Sequence, residues 1–343
     1  MTYKKNVLFV SVLGIGAIVA GLAIHNHIVN VRAAKLEHIV PPAPYFPTGA
    51  IWTQEVSNTP VDPQSSAIIA WLADAGGWGR GKMQVDFGIR VLQAAASTPK
   101  VPFRKGADWM AADSDYVSEI PLPTGGGIEG QSSYQCDIGQ NDCHLIVVDR
   151  SLGKLYEAYQ ANYAKSMLTA NFVAVWNLNR VYPPSGRGDQ CTSGDAAGFP
   201  IAPLLFNADE LASGSINHAI RFILPNPRIR ANVFVHPATH AGSPRGPASA
   251  PPYGAHFRLK ASYDMSQLTP AARVVARAMQ KYGMFLSDGG NIALTAQNDA
   301  DTTAKYADVE FGPHDLQALK VTDFEVVDLG TPIPLTYDCV RNR

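Results

Sequence analysis

The segment 256–264 carries the clearest chemical pattern in this sequence. Apolar residues occupy its odd-numbered positions, so His256, Arg258 and Lys260 share the other face of a predicted strand. Alternate side chains stand about 7 Å apart along a strand, and Arg binds carboxylate or sulfate groups bidentately. On a concave sheet this face would form a substrate-binding ladder for an anionic polysaccharide; the alternative is a solvated outer face.

Two further residues are candidates for proton transfer. His218 shares the apolar face of a predicted strand at 216–224. It is either a core residue or a general acid or base, since an unperturbed imidazole titrates at about pH 6.5. Asp195 lies between small residues in the loop 191–198, where it either binds its own backbone or contacts a substrate.

The other candidates are assigned by residue type, because the sequence gives no distances between them. A glycosidase needs two facing carboxylates, and Glu157 and Glu210 are further sources of such a pair. Tyr156 suits sugar stacking or proton transfer, while His240 and Arg221 complete the predicted substrate-binding set. The predicted catalytic set is His218, Asp195, Glu157 and Tyr156.

No metal or cofactor is predicted. The helical zinc-protease motif is absent, and Asp299 and Asp301 lack the glycine and glutamate of a calcium loop. Neither a phosphate-binding loop nor a serine nucleophile elbow occurs. The 28 Lys and Arg residues against 29 Asp and Glu residues give a net charge of −1, so a nucleic-acid partner is not expected.

The N-terminus has the pattern of an export signal. Two lysines precede an uncharged, mainly apolar run that is long enough to span a bilayer. We therefore predict a signal-anchor in residues 1–24, inserted in the inner membrane through residues 7–24, and a proline-rich linker in 25–50. Residues 51–343 would form one exported domain facing the periplasm or the cell exterior, and cleavage of the anchor would make the protein secreted.

All four cysteines lie in the predicted exported domain. An even number outside the cytosol predicts two disulfides, although four cysteines allow three pairings. Cys136 with Cys143 would close a short loop, and Cys191 with Cys339 would join the C-terminus to a mid-chain loop. Zinc is the alternative, but the cysteine and histidine spacings do not match a zinc site.

Alternating hydrophobicity and frequent turn residues predict a mainly β protein. Strands are predicted at 83–91, 144–149, 154–159, 172–179, 216–224, 231–236, 256–264 and 323–329, of which the second and third form a hairpin. A short helix is expected at 62–74, and a longer one begins after Thr269 and ends at Gly283. We expect a β-sandwich, jelly-roll-like, with one long and one or two short helices.

Several short runs carry a resemblance to known proteins. They lie at 58–60, 99–102, 148–150, 154–157, 192–201, 218–222, 257–262 and 281–284. Through these runs, residues 58–328 resemble a family of uncharacterised exported bacterial proteins, from which the sequence differs in the loop that holds Cys136 and Cys143. The resemblance implies one domain rather than two, and it implies no established activity, fold or cofactor.

Two functional hypotheses remain open from the sequence. The first is an exported, carbohydrate-directed protein that binds an anionic polysaccharide or envelope glycan and, as a lyase or hydrolase, cleaves it. The alternative is a non-catalytic cell-envelope or surface protein in which the same residues serve folding and binding. The first hypothesis requires Asp195, His218, Arg258 and Lys260 to line one pocket.

Overall fold

Short strands dominate the computed structural model, which describes residues 44–139 and 141–342. In chain order they are β1 (Val85–Ile89), β2 (Leu92–Ala94), β3 (Lys100–Lys105), β4 (Glu119–Pro121), β5 (Leu145–Asp149), β6 (Lys154–Tyr159), β7 (Asn162–Ala164), β8 (Met167–Ala170), β9 (Phe172–Asn177), β10 (Ile220–Leu224), β11 (Val233–Phe234), β12 (His256–Leu259), β13 (Met284–Gly289), β14 (Leu294–Gln297), β15 (Phe324–Val327) and β16 (Ile333–Pro334). The α-helices of the described residues are α1 (Ser65–Asp74), α2 (Ala208–Ser213) and α3 (Pro270–Lys281).

The largest sheet has six strands in the order β1-β14-β10-β13-β12-β15. It is mixed, because β1–β14 and β10–β13 pair parallel whereas the other neighbours pair antiparallel. Helices α1 and α3 pack against it, on β15 and β12 respectively. As predicted, Thr269 caps α3: its side chain accepts a hydrogen bond from Ala272 N, and Pro270 occupies the first turn.

Two four-stranded sheets share a second hydrophobic core. Their orders are β2-β5-β6-β9 and β4-β3-β8-β7, and the predicted hairpin is the antiparallel pair β5–β6. Buried side chains of both sheets, among them Phe103, Val147 and Leu168, belong to one cluster. Strand β5 is buried along its whole length, as expected for a central strand covered on both faces.

The prediction of a mainly β fold with one long and one or two short helices is confirmed, since the described residues form one long and two short α-helices. The mixed sheets do not confirm the sandwich or jelly-roll arrangement, which stays a prediction. Several predicted strands are shorter than expected, and for two of them the difference moves a predicted site residue out of the strand. Strand β10 begins at Ile220, so His218 precedes it, and β12 ends at Leu259, so Lys260 lies just beyond it.

Both predicted disulfides are present, Cys136–Cys143 and Cys191–Cys339. They are compatible with an exported protein, because such bonds persist in oxidising compartments. Within residues 44–139 and 141–342, no helix is long and apolar enough to cross a bilayer. The predicted signal-anchor and most of the predicted linker lie outside the residues that the structure describes.

We predict that replacing Cys136 and Cys143 together by alanine lowers the free energy of unfolding by about 2 kcal/mol. The bond joins residues seven positions apart, and a short closed loop removes little entropy from the unfolded chain. Urea denaturation of the variant and the wild type measures the difference. An unchanged midpoint would mean that the bond contributes no stability.

Candidate functional site

Five ionisable residues from distant parts of the chain meet beside strand β10. They are Glu129, His144, Asp195, Arg221 and Asp288, and we call them the ionic cluster. Asp195 and Arg221 were predicted as site residues from the sequence, whereas the other three were not. The cluster therefore brings part of the predicted site together with groups that the sequence pattern did not reveal.

Arg221 lies at the centre of the ionic cluster. It is only 4% exposed on β10, and its Nε and Nη2 donate to the two carboxylate oxygens of Asp195, each at 3.2 Å. Its Nη1 donates to Thr295 Oγ1 on β14 at 2.9 Å. Because Asp195 is completely buried, this bidentate pair holds the loop 191–198 against the large sheet.

A β-bulge brings Asp288 to the same guanidinium. Ser287 is the extra residue of β13 opposite β10, and its carbonyl accepts the backbone N–H of Ala197 from the loop 191–198 at 2.9 Å. Bulges redirect neighbouring side chains, and Asp288 Oδ2 lies 3.5 Å from Arg221 Nη2. The Asp288 side chain keeps 33% of its surface exposed, so it is the member of the cluster that solvent reaches most easily.

His144 and Glu129 form the second ion pair of the cluster. His144 Nδ1 lies 2.6 Å from Glu129 Oε2, and Nε2 lies 2.8 Å from the carbonyl oxygen of Gly194. Both ring nitrogens face acceptors, so both must donate and the ring is an imidazolium. Burial alone would lower the pKa of His144, but Glu129 outweighs it and raises that pKa to about 9.

The two most exposed carboxyl groups of the ionic cluster, those of Glu129 and Asp288, have very different pKa values. Burial and the negative charge of Asp195 together raise the pKa of Asp288 to about 7, although the positive charge of Arg221 opposes the shift. Burial would also raise the pKa of Glu129, but the positive charge and hydrogen bonds of His144 outweigh it and leave that pKa below its ordinary value. At neutral pH, Glu129 is therefore ionised while Asp288 exchanges a proton with solvent.

We predict that the His144–Glu129 pair makes stability fall between about pH 6.5 and pH 9. The pKa of His144 rises from 6.5 to about 9 on folding. Its contribution is therefore complete below pH 6.5 and disappears as the pH rises through about 9. Urea denaturation across this range measures the slope, which should be smaller in Glu129→Gln. Equal slopes in the two proteins would contradict this assignment.

A cavity opens beside the ionic cluster. Its volume is about 320 Å³, and Asp86, Glu129, Asn141 and Asp142 line it. The hydroxyl group of Tyr159 donates to Asp142 Oδ1 at 3.4 Å. Burial raises the pKa of Tyr159, and the charges of Asp142, Asp288 and Glu129 add to the shift, so the phenol lies in the field of the same carboxylates. The opening is acidic and large enough for part of a small ligand.

No metal centre is formed by the described residues. The atoms of Asp113, Cys191 and Cys339 lie within 4.8 Å of one another, but the two sulfurs are joined in a disulfide. A disulfide offers no thiolate ligand, so this group cannot hold zinc.

Glu157 and Tyr156, both predicted to be catalytic, are buried on strand β6. The Glu157 carboxylate accepts hydrogen bonds from Ile201 N, Ala202 N and Trp176 Nε1 at 2.7, 3.0 and 2.9 Å. Burial raises its pKa to about 7 despite these bonds. Tyr156 is 5% exposed and lies in the core shared by the two four-stranded sheets. These contacts are those of interior side chains, and a catalytic role for Glu157 or Tyr156 stays a prediction.

His218 lies apart from the ionic cluster, contrary to the predicted shared pocket. Its Nδ1 lies 2.7 Å from the carbonyl oxygen of Ala219 and its Nε2 lies 3.0 Å from Glu210 Oε1. Trp52 and Phe46 line the same cavity of about 30 Å³, which has room for about two water molecules. The side chains of His218 and Glu210 are largely buried, and Glu210 also completes the cap of α2.

The predicted ladder on 256–264 is not a row of free cations. Arg258 is 8% exposed, its Nε donates to Glu325 Oε1 at 2.8 Å and its Nη1 donates to the carbonyl oxygens of Val56 and Thr59. Lys260 Nζ donates to the carbonyl oxygen of Thr322 at 2.8 Å. Both side chains bind groups of the protein itself, in segments that pack against β12. Their contacts therefore do not support the prediction that they bind substrate.

The two remaining predicted binding residues are held by backbone carbonyls. His256 stacks on Phe285 with ring centroids 3.9 Å apart, and its Nε2 donates to the carbonyl oxygen of Tyr282. Burial lowers the pKa of His256 to about 4, so the ring is neutral. It faces an open cleft of about 780 Å³. His240 Nδ1 contacts the carbonyl oxygen of Ala196, next to Asp195, and so supports the loop rather than the cleft.

Comparison with protein-family models, with curated protein sequences and with solved structures finds no match for this chain.

Proposed function

We propose that this chain is an exported, carbohydrate-directed hydrolase in which Asp288 and Glu129 act on a glycosidic bond. The observation that supports the proposal best is the partly exposed Asp288 carboxyl group, whose pKa is about 7. An acid with that pKa is about half protonated at neutral pH, so both its proton-donating and its proton-accepting forms are present. Burial and a neighbouring charge of the same sign are the usual means of preparing such a group in an active site.

Glu129 would supply the second carboxyl group. It remains ionised because the His144 imidazolium contacts it, and its side chain is 24% exposed towards the adjacent cavity. Two carboxyl groups whose pKa values are driven apart divide into an acid and a base or nucleophile. Glycoside hydrolysis uses such a division between one acid and a second carboxyl group.

The reaction would begin with a glycan bound in the cavity beside the ionic cluster. Protonated Asp288 would donate its proton to the glycosidic oxygen as that bond to the anomeric carbon breaks, and the leaving sugar departs as an alcohol. Glu129 would either deprotonate the water that attacks the anomeric carbon or attack that carbon itself. In the second case a glycosyl ester of Glu129 forms, and water, deprotonated by the Asp288 carboxylate, then displaces Glu129 and releases the sugar. Arg221 and Asp195 would keep Asp288 in position, and His144 would keep Glu129 negatively charged.

The acidic cavity favours neutral sugar rings at the point of cleavage. Asp86, Glu129 and Asp142 contribute three carboxylates to its lining and no cation lines it, so a uronate ring there would face like charges. The lyase version of the proposal loses its support, because Arg258 and Lys260, which would have neutralised a uronate, both bind protein groups. Hydrolysis is the version that the ionic cluster favours.

Purified full-length protein, incubated with a panel of neutral and anionic polysaccharides, tests the proposal. Hydrolysis produces new reducing ends without ultraviolet absorbance, whereas a lyase also produces unsaturated sugars that absorb. We expect new reducing ends with at least one neutral polymer and none with a variant that carries Asp288→Asn. Binding without new ends across the panel would replace the proposal by the second hypothesis, a non-catalytic envelope protein.

A further inference from the structure

The wide cleft that His256 faces is a second concave surface, separate from the cavity beside the ionic cluster. Its volume is about 780 Å³, within the range of sites that bind small molecules. Its lining includes His256, Phe285, Asp328 and the segment 181–184, and no described residue lines both this cleft and the cavity. We call it the His256 cleft.

The His256 cleft carries negative charge without a balancing cation in its lining. Among the described residues, Glu55 and Asp328 line it, whereas no lysine or arginine does. Glu55 Oε1 lies 2.8 Å from Lys281 Nζ, outside the lining, so its charge is already paired. Asp328 is exposed, and its carboxylate makes no hydrogen bond or ion pair with residues 44–139 or 141–342. This carboxylate therefore remains available to a positively charged ligand.

Two polar side chains of the His256 cleft use a donor on the protein and keep an acceptor free. His256 is neutral, because burial lowers its pKa to about 4. Its Nε2 faces the carbonyl oxygen of Tyr282 and must carry the hydrogen, so Nδ1 has a lone pair. Gln54 Nε2 likewise donates to the carbonyl oxygen of Gly49 at 3.2 Å, which leaves Oε1 as an acceptor. The polar part of the lining therefore favours ligands that are rich in donors.

Exposed apolar residues form another part of the lining. Val181 is 48% exposed, and Pro183 and Pro184 beside it are exposed as well. Binding sites for small molecules combine such apolar surface with a few oriented polar groups. A sugar ring suits this combination, because its face presents C–H groups and its edge presents hydroxyl donors.

We infer that the His256 cleft binds an oligosaccharide that carries free amino groups. Asp328 would pair with an ammonium group, and His256 Nδ1 and Gln54 Oε1 would accept hydrogen bonds from hydroxyl groups. A uronate or a sulfated sugar would instead meet the Asp328 carboxylate as a like charge. The inference goes beyond the proposed hydrolase activity, because binding here requires no reaction.

Isothermal titration calorimetry of the full-length protein with a glucosamine tetramer tests this inference. The fully N-acetylated tetramer is the reference, because its acetyl groups remove the positive charge that free amino groups carry at about pH 7. We expect the glucosamine tetramer to bind more tightly, with an affinity that falls as salt is added. In Asp328→Asn the affinity should fall about fivefold, the upper range for one exposed ion pair. Asparagine tolerates the φ of 42° at this position, so the variant should fold.

A second variant tests the charge of the cleft without removing any of its contacts. Val181→Lys adds a cation to the lining and should weaken binding of the glucosamine tetramer at least as much as Asp328→Asn does. The matched controls are Leu152→Lys and Asp74→Asn. Leu152 is 49% exposed and Asp74 is also exposed, and both lie outside the lining of the cleft. Both controls should bind the tetramer as the wild type does.

Three results would overturn the inference. The first is no binding by the wild type, or equal binding of the N-acetylated tetramer. The second is a loss of affinity in the controls that equals the loss in the cleft variants. The third is tighter binding of tetra-lysine that Asp328→Asn loses, because that result would assign the cleft to a basic peptide. None of these outcomes depends on whether Asp288 catalyses hydrolysis.

Discussion

Replacing Asp288 by asparagine is expected to lower kcat for glycan hydrolysis by about 10²- to 10⁴-fold, which is the range for loss of a general acid. Asparagine keeps the size of the side chain and can still accept from Gly289 N, as Asp288 Oδ1 does at 2.7 Å. It cannot donate the proton that the leaving group needs. Steady-state assays of reducing ends with the polymer that the wild type cleaves best measure the effect.

The pH dependence of the wild type gives a sharper test of the same role. Because the pKa of Asp288 is raised to about 7, the protonated acid is lost as the pH rises through 7, and the rate should fall there. The rate should fall again at acidic pH, where Glu129 becomes protonated below its ordinary range. In Asp288→Asn the alkaline limb near pH 7 should disappear along with most of the activity.

Asp74→Asn is the matched control for this variant. Asp74 is exposed at the end of α1 and forms no part of the ionic cluster, so its replacement should leave both kcat and the pH profile unchanged. If Asp288→Asn retains the activity of the wild type, Asp288 is not the acid. If both variants lose activity equally, the loss reflects a general effect of charge and not the chemistry of the cluster.

Local signals were sufficient to predict parts of the fold. Thr269 and Pro270 predict the start of α3, because the capping side chain of Thr269 and the fixed φ of Pro270 both act within the first turn of the helix. The disulfides followed from the export signal and from an even number of cysteines. The hairpin β5–β6 followed from two apolar runs around a four-residue turn. Each of these signals lies within a short stretch of sequence.

The composition of the ionic cluster could not be predicted in this way. Arg221 contacts Asp195, Asp288 and Thr295, which lie 26, 67 and 74 positions away in the sequence. Asp288 faces Arg221 because Ser287 forms a bulge, and a bulge changes the direction of a side chain without a clear pattern in sequence. The sequence signal for strand β13 is the short apolar run at 284–286. This run begins only three positions after Lys281, the last residue of α3.

The contacts of the segment 256–264 differ from the predicted ladder for another physical reason. Alternation correctly placed Arg258 and the apolar residues on opposite faces, but the pattern does not show what covers each face. Here the carbonyl oxygens of Val56 and Thr59, together with Glu325, cover Arg258.

Replacing Arg221 by leucine is expected to lower the free energy of unfolding by about 3–5 kcal/mol, as for other buried pairs that lose one partner. Arg221 is 4% exposed and Asp195 is completely buried, so the variant leaves the Asp195 carboxylate without the guanidinium that it contacts twice. The hydrogen bond to Thr295 is lost as well. Urea denaturation, followed by tryptophan fluorescence, measures the change.

A double variant separates the loss of the pair from the loss of packing. When Arg221→Leu is combined with Asp195→Leu, no unpaired charge remains between them, and part of the lost stability should return. Lys281→Met serves as the control, because Lys281 and Glu55 form an exposed pair at 2.8 Å whose removal should cost no more than about 1 kcal/mol. If Arg221→Leu is no more destabilising than Lys281→Met, the cluster does not hold the loop 191–198 in place. The positioning of Asp288 by Arg221 would then lose its basis.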